Sequence, residues 1–337
     1  EWTSAFDSIF HRLMPQAERV LLETNEHSRA TPLVETRNAR FIKSCQAVYP
    51  LHRYERLAPI MHRLRMIKQE AEVQMIQRAC DITGAGFKRL LGFIKPGVGE
   101  WEIEAELLHE FVRSGSRGFA YTPIIGSGKN SCVLHYVKND QVCCEGDLVL
   151  LDVAAEWGGW NADMTRTVPI SGRFSKRQRQ VYDAVLRVFR GANELLRPGN
   201  DPTEYQKQVL LLMERELVNL GLFSAKDAAA QGPDKALVKK YFMHGTSHHL
   251  GLDVHDCALA TREEYMDAEL RPGMVLTVEP GLYFKADDLK APERFRGTGV
   301  RIEDDVLVTE DGCENLSAAM PRSSTEVEAW IARIQHP

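Results

Sequence analysis

Hydrophobic residues recur at helical spacing in the first half of the chain. From Glu70 to Phe93 the apolar side chains fall on one stripe, which predicts an amphipathic helix that ends at Lys95-Pro96-Gly97. A second helix is predicted to begin at Glu100. Its expected inward residues are Ile103, Leu107, Leu108 and Phe111. Further on, Asp147–Ala154 is almost continuously apolar, which predicts a strand buried on both faces.

Short matches indicate an internal repeat. Pro96-Gly97 and Pro198-Gly199 each follow a helical stretch, and Gly146–Asp152 and Gly273–Glu279 each run from glycine through mostly apolar residues to an acid. One helix–helix–strand unit used twice predicts an α+β domain with pseudo-symmetry. The residues alone leave open the alternative of two unrelated strands that begin with glycine.

Residues 1–65 carry shorter apolar stretches. Phe6–Met14 has helical spacing and Val20–Glu23 is typical of a short strand. We expect this segment to be the C-terminal part of an N-terminal domain whose beginning is absent. The main domain is expected to span residues 66–337.

The composition excludes several classes of function. With 44% hydrophobic and 26% charged residues the chain is neither disordered nor unusual, and a formal net charge of −5 argues against nucleic-acid binding. The chain has no run of 18 apolar residues, so no membrane span is predicted. The 7 cysteines are an odd number without regular spacing, so we expect reduced thiols and a cytoplasmic protein.

Acidic residues end the predicted strands. Asp163 follows Asp152 after a segment that contains Gly158-Gly159, a pair suited to a tight turn. If the hairpin turns about the bond between Trp157 and Gly158, the two aspartates face each other with Cβ atoms about 4.5–5.5 Å apart. Like charges at that distance repel unless a cation lies between them. A turn elsewhere, with both acids exposed, is the alternative.

The second half supplies further candidate ligands. Glu279 ends one strand and Glu303 lies in the alternating segment Gly299–Val308. Between them, four of the 11 histidines fall within His244–His255. One histidine with four carboxylates is rich in hard oxygen ligands, which suits Mn²⁺, with Co²⁺, Fe²⁺ or Zn²⁺ as alternatives. Two ions that share carboxylates can activate water and polarise a carbonyl.

Together these segments resemble the pita-bread-fold metallopeptidases, specifically the Xaa-Pro aminopeptidase (aminopeptidase P) family. The resemblance covers about residues 64–330. The matching segments are Leu64–Lys68, Asp152 with Asp163, His244–His248, Leu250–Asp256, Pro272–Gly281 and Gly299–Asp304. The resemblance implies an α+β pita-bread (creatinase/aminopeptidase) fold with a pseudo-two-fold repeat. Residues 66–337 would form the catalytic domain, preceded by a short remnant of an N-terminal domain.

The resemblance also implies roles for single residues. The implied metal ligands are Asp152, Asp163, His248, Glu279 and Glu303. Asp152 and Asp163 would hold one ion. The other would be held by Asp163, His248, Glu279 and Glu303, and Asp163 and Glu303 would bridge the two. Glu279 would handle the proton, while His135 and His255 would donate to the substrate carbonyl oxygen. The implied substrate-binding residues are His135, His244, His255 and Arg301.

The implied activity is hydrolysis of the bond between an N-terminal residue and a penultimate proline, by a hydroxide that bridges two divalent ions, with Mn²⁺ expected. Peptides with proline second are the expected partners, without nucleic acid or membrane, and a homo-oligomer, dimer or tetramer, is expected. Prolidase, the Xaa-Pro dipeptidase, shares the ligands, but Ser247 and the Leu250–Asp256 run favour the aminopeptidase. A non-catalytic pita-bread binding protein is a further alternative.

Overall fold

Helices and short strands alternate along the chain in a computed structural model that describes residues 2–24, 33–257 and 269–335. The helices are α1 (Phe6–Leu13), α2 (Arg37–Val48), α3 (Ala58–Met66), α4 (Glu70–Phe93), α5 (Glu100–Arg113), α6 (Lys176–Leu195), α7 (Pro202–Asn219), α8 (Ala225–Ala230), α9 (Ala236–Lys239) and α10 (Ser324–Gln335). The strands are β1 (Arg19–Leu22), β2 (Arg53–Arg56), β3 (Ile124–Ser127), β4 (Leu148–Asp152), β5 (Glu156–Trp157), β6 (Trp160–Asn161), β7 (Thr165–Pro169), β8 (Val275–Val278), β9 (Gly281–Phe284), β10 (Thr298–Arg301), β11 (Asp304–Val308) and β12 (Cys313–Asn315).

Antiparallel sheets form the centre of the main domain. One has the order β3-β4-β7 and another the order β12-β11-β8, while β9 pairs with β10 and β5 with β6. The helix pairs α4–α5 and α6–α7 pack beside them around one contiguous hydrophobic core. None of the helices in the described ranges is long and apolar enough to cross a bilayer.

The helices predicted from the hydrophobic pattern are confirmed. α4 begins where the Gln69 backbone N–H donates to the Glu72 side chain at 2.7 Å, an N-terminal cap. Its apolar stripe is buried against α5, and Gly86 permits this close contact because a Cβ there would lie 2.5 Å from the Phe111 ring. The inward position predicted for Leu108 is wrong: it is 41% exposed. Ile103, Leu107 and Phe111, spaced four residues apart, already fill the buried stripe of α5.

The predicted internal repeat is also confirmed. Each helix pair precedes a central strand, β4 after α4–α5 and β8 after α6–α7. Gly97 and Gly199, which end the first helix of each pair, have φ of +93° and +86°. Gly146 and Gly273, ahead of the two strands, have φ of +85° and +87°. These paired left-handed turns are positions where only glycine is free of strain.

Residues before the main core form a small unit of their own. The predicted helix and strand appear there as α1 and β1, and β1 pairs in parallel with β2. Met14, Val20 and Cys45 are buried but lie outside the contiguous core, whose first member is Met66. This separation supports a domain boundary near residue 66, which remains a proposal.

The register predicted for the Asp152–Asp163 hairpin is wrong by two residues. Gly158 and Gly159, with φ of +61° and +90°, form a two-residue turn, because such hairpin turns need positive φ at both central positions. Asp152 therefore pairs with Thr165 and not with Asp163. Side chains alternate along a strand, so a shift of two keeps Asp163 on the same face as Asp152.

Candidate metal centre

The two halves of the main domain meet at Thr165 and Glu303. The Glu303 backbone N–H donates to the Thr165 carbonyl at 3.1 Å, which joins the start of β7 to the residue before β11. The Thr165 hydroxyl also donates to Glu303 Oε2 at 2.5 Å. This junction brings the carboxylate of the second half next to Asp152 and Asp163 of the first half.

Three of the predicted ligands converge. Asp163, His248 and Glu303 each offer one donor atom, and these atoms all lie within 4.8 Å of one another. His248 Nε2 is 3.3 Å from Asp163 Oδ2 and 3.7 Å from Glu279 Oε1. Asp152 lies next to this group, and Arg301 forms ion pairs with both Asp152 and Glu303. One imidazole among four carboxylates is a donor set that fits hard divalent ions.

The orientation of His248 suits metal binding. Its Nδ1 lies 3.0 Å from the carbonyl oxygen of His249. Because a carbonyl can only accept, Nδ1 carries the hydrogen, and Nε2 is directed at Asp163 and Glu279. A histidine ligand whose second nitrogen is held by a carbonyl is a usual arrangement at metal sites.

The acids are crowded and poorly neutralised by the protein. Burial raises the pKa of Glu303 well above its ordinary value, and the charges of Asp163 and Glu279 raise it further. Burial also raises the pKa of Glu279 to about 7, against the lowering effect of His248 and Arg301. Burial raises the pKa of Asp152 as well, although Arg301 opposes it. Bound cations would stabilise a cluster of this kind, because they offset the repulsion between its carboxylates.

Arg301 holds Asp152 from inside the protein. Its side chain is 4% exposed, and Nη2 donates to Asp152 Oδ2, Nη1 to the Tyr283 hydroxyl at 2.8 Å and Nε to Thr165 Oγ1 at 3.1 Å. Tyr121 donates to the other oxygen of Asp152 at 2.6 Å. These bonds leave Arg301 placed to orient the site and not to face open space.

The predicted pocket histidines lie around this centre. His244 Nε2 is 2.8 Å from the Tyr283 hydroxyl, and its Nδ1 is 2.8 Å from the Gly245 carbonyl oxygen and 3.4 Å from Glu279 Oε2. Burial, with Arg301, lowers the pKa of His244 to about 3, so the ring is neutral. The exposed His255 lies with its ring centroid 4.4 Å from that of His248. The exposed His135 is near enough for its charge to lower the pKa of His244.

Sequence reasoning missed several polar residues of the centre. Tyr121, Tyr283 and Thr165 bond the predicted site residues, as described above. Asp305 accepts the backbone N–H of Asp163 at 3.0 Å. A signal existed for two of them, because Thr165 and Asp305 lie two residues after Asp163 and Glu303 and therefore share their strand faces. The tyrosines carry no such periodic signal.

Several known proteins are similar to this chain in sequence. The model of metallopeptidase family M24 matches residues 74–310. A Xaa-Pro aminopeptidase of Escherichia coli K12 is 42% identical over 275 residues, which cover 81% of this chain and 61% of that protein. Human Xaa-Pro aminopeptidase 3 is 39% identical over 269 residues, covering 80% and 52%. The chain thus spans about three fifths, or less, of the length of these relatives.

Solved structures share the fold. Escherichia coli aminopeptidase P with the inhibitor Pro-Leu superposes with a TM-score of 0.84 at 35% identity, covering 99% of this chain and 75% of that chain. Proline aminopeptidase P II of Yersinia pestis gives a TM-score of 0.83 at 35% identity, covering 97% and 75%. The likeness therefore extends over nearly the whole of this chain.

Proposed function

Because the chain belongs to metallopeptidase family M24, we propose that it forms the catalytic part of an Xaa-Pro aminopeptidase. It releases the N-terminal residue from peptides with proline second. The pita-bread fold expected from the sequence is confirmed by the likeness to aminopeptidase P structures. The activity is a proposal, since the chain spans only part of its relatives.

One observation carries the proposal: Asp163, His248 and Glu303 converge from both halves of the domain within 4.8 Å. Acids brought together in a buried place destabilise the fold unless a cation neutralises them, so such a cluster indicates a functional site. Asp152 and Glu279 complete a five-residue set in the order that the resemblance predicts. That set supports two divalent ions, for which we propose Mn²⁺ as the native metal.

The ions and the protein divide the chemistry between them. When bound, the ions polarise the substrate carbonyl and lower the pKa of water. As the family resemblance implies, Asp152 and Asp163 would hold one ion, Asp163, His248, Glu279 and Glu303 would hold the other, and Asp163 and Glu303 would be shared. Thr165 bonds Glu303 and Arg301 bonds Asp152. The positions of these two carboxylates therefore do not depend on bound substrate.

Glu279 is the proposed proton carrier. A carboxylate in this position can accept a proton and return it. Its two oxygens lie beside His248 Nε2 and His244 Nδ1, which restrict the side chain to one orientation. We assign proton transfer during peptide cleavage to this carboxylate.

Three histidines line the proposed substrate side. His135 and His255 are exposed, so each can donate to the substrate carbonyl oxygen and to the negative charge that develops there. His244 is neutral and bonded to Tyr283, which suits it to positioning Glu279 and the substrate. Arg301, predicted to bind substrate, is proposed instead to position Asp152, because its nitrogens already bond Asp152, Thr165 and Tyr283.

Other expectations stay proposals. All seven cysteines are free thiols, which supports a reducing, cytoplasmic location. The family resemblance supports a homo-oligomer, dimer or tetramer. The net charge of −5 supports peptides and not nucleic acid as partners.

A substrate comparison tests the activity. The purified chain, loaded with Mn²⁺, is assayed on Arg-Pro-Pro-type tripeptides, on Xaa-Pro dipeptides and on matched peptides with glycine second. Release of the first residue from the tripeptides alone, or from both proline classes, supports the aminopeptidase. Cleavage of dipeptides alone identifies a prolidase. No cleavage by protein that holds its metal identifies a binding protein.

A further inference from the structure

A buried ion pair joins the start of the main domain to the histidine loop, here residues 250–257. The Lys68 ammonium lies 3.1 Å from Asp256 Oδ2, and these side chains are 0% and 1% exposed. Arg65, at the end of α3, places Nη2 2.5 Å from Asp256 Oδ1 and 2.7 Å from Asp253 Oδ2. Burying a charge is costly in free energy unless it is paired. The side chains of this ion pair are therefore held in one arrangement, because separating them would leave buried charges without partners.

Asp256 sits next to His255 in the chain and connects directly to His248. Its backbone N–H donates to the His249 carbonyl at 2.9 Å, and the same carbonyl oxygen accepts the Nδ1 hydrogen of His248 at 3.0 Å. One oxygen atom therefore ties the ion pair to the tautomer and ring orientation of a proposed metal ligand. The rings of His248 and His255 are in contact, edge to face.

The loop is closely fitted around this pair. A Cβ at Gly251 would lie 2.2 Å from Asp256 Oδ2 and 3.1 Å from Lys68 Cε, so only glycine fits there. The Asn161 side chain donates to the carbonyls of Gly251 and Leu252 at 3.0 Å. Lys68 is anchored in turn, since its backbone N–H donates to the Gly273 carbonyl at 2.7 Å, close to β8.

From these contacts we propose that Arg65 and Lys68 are positioning residues for the metal centre. Through Asp256 and the His249 carbonyl they keep His248 Nε2 directed at Asp163 and keep His255 against His248. Part of the site's precision thus comes from the segment that links α3 to α4. This inference rests on the proposed function for His248 as a metal ligand.

Arg65→Gln gives the first test, because Arg65 is 20% exposed and its replacement by a neutral side chain of similar length leaves Lys68 paired with Asp256. We expect the Kd for Mn²⁺, measured by titration calorimetry, to rise about tenfold, and kcat/KM to fall by a similar factor. In NMR spectra of labelled, metal-free protein, the ring signals of His248 and His255 are expected to shift. Arg65→Lys is expected to stay within about threefold of wild type.

Arg89→Gln is the matched control. Arg89 forms a similar half-buried ion pair, 2.6 Å from Glu106, on the α4–α5 pair. It is expected to leave Mn²⁺ affinity and both histidine signals unchanged. Lys68→Met, which keeps Arg65 on Asp256, is a second variant with the same expected loss of affinity.

Wild-type Mn²⁺ affinity and unchanged histidine signals in both Arg65→Gln and Lys68→Met overturn the inference. An equal loss of affinity in Arg89→Gln overturns it too, since the effect then lacks locality. If wild-type protein binds Mn²⁺ but cleaves no Xaa-Pro peptide, the proposed function fails. The affinity comparison then still decides the positioning role by itself.

Discussion

Two neighbouring carboxylates, Glu303 and Asp304, lie in opposite electrostatic surroundings. Asp304 accepts from Arg166 at 2.6 Å, from Arg322 and from Asn315 at 2.8 Å, so the protein itself neutralises it. Glu303, on the other strand face, lies among carboxylates and one histidine, with Arg301 Nε 3.9 Å away. Both are almost fully buried.

This difference in neutralisation separates an acid with a structural role, Asp304, from an acid with a proposed functional role, Glu303. The Arg166 centre, meaning Arg166, Asp304 and Arg322, has its cations built in and needs no ligand. The acidic centre, meaning Asp152, Asp163, His248, Glu279 and Glu303, has an excess of carboxylates. Burial raises the pKa of three of them, Asp152, Glu279 and Glu303. Breaking the first should cost folding, and breaking the second should cost activity.

The largest expected effect is on activity. Asp163→Ala removes a residue that we propose to hold both ions, so we expect kcat/KM to fall by about four orders of magnitude, or about 5.4 kcal/mol. Hydrolysis of a proline-second tripeptide at saturating Mn²⁺ measures it. Because His248 loses its hydrogen-bond partner, the metal-free variant is expected to be less stable than metal-free wild type below pH 9. Retained activity would refute the proposed site.

The next effect is on stability, at the Arg166 centre. Asp304→Asn leaves Arg166, which is 1% exposed, without its buried counter-charge, so we expect a loss of about 3–5 kcal/mol in the free energy of unfolding. Urea denaturation measures it, with and without metal. If Asn at position 304 prevents folding, Arg322→Gln provides a milder change, because Arg322 is 22% exposed. A neutral effect of both would contradict the assigned structural role.

The pH dependence of metal-free stability sharpens the comparison. Burial alone lowers the pKa of His248, but the hydrogen bond to Asp163 and the charge of Glu279 raise it to about 9. Between pH 6.5 and 9 the folded state therefore binds more protons than the unfolded state, and stability falls as pH rises, on the order of 2–3 kcal/mol. Glu279 acts in the same direction below pH 7.

Thermal denaturation in EDTA across this range measures the fall. His244 and His249, whose pKa values burial lowers to about 3, act in the opposite sense only below pH 6.5. His248→Asn should remove most of the slope. A melting temperature that is level or rises from pH 6.5 to 9 in wild type contradicts this electrostatic description.

A smaller effect is expected from the second layer of the acidic centre. Tyr283→Phe removes the hydroxyl that accepts from Arg301 and bonds His244, so we expect kcat/KM to fall about tenfold, or about 1.4 kcal/mol. Tyr182→Phe is the matched control, since its hydroxyl donates to the Arg322 carbonyl at 2.8 Å beside the Arg166 centre. It should lower stability and leave kcat/KM unchanged. Equal losses of activity in the two variants would remove the distinction.

Much of the fold was predictable because its signals are local. The apolar stripe of α4 and the Pro-Gly ends of the helices depend on period and on backbone freedom, which the residues themselves carry. The hairpin register was not, because Trp157–Trp160 offers two positions for a turn. Only the positive φ at both glycines decides between them.

The residues gathered at the acidic centre could be predicted from the sequence, but the side chains that support them could not. Asp152 and Glu279 end apolar runs, Asp163 follows a Gly-Gly turn signal, and the histidine cluster is dense, so these residues are visible in the sequence. Tyr121 and Tyr283 reach the centre only through tertiary contacts. The neutralisation of Asp304 by Arg166, far apart in sequence, likewise has no local signal, although it decides which acid is structural.

The metal content of the chain tests the central claim most directly. Protein is equilibrated with Mn²⁺, freed of loose metal by gel filtration and measured by inductively coupled plasma mass spectrometry. The acidic centre predicts two ions per chain in wild type and in Arg89→Gln, and fewer in Asp163→Ala. Wild-type protein that retains no ion after Mn²⁺ treatment contradicts the claim that these acids are gathered to hold metal.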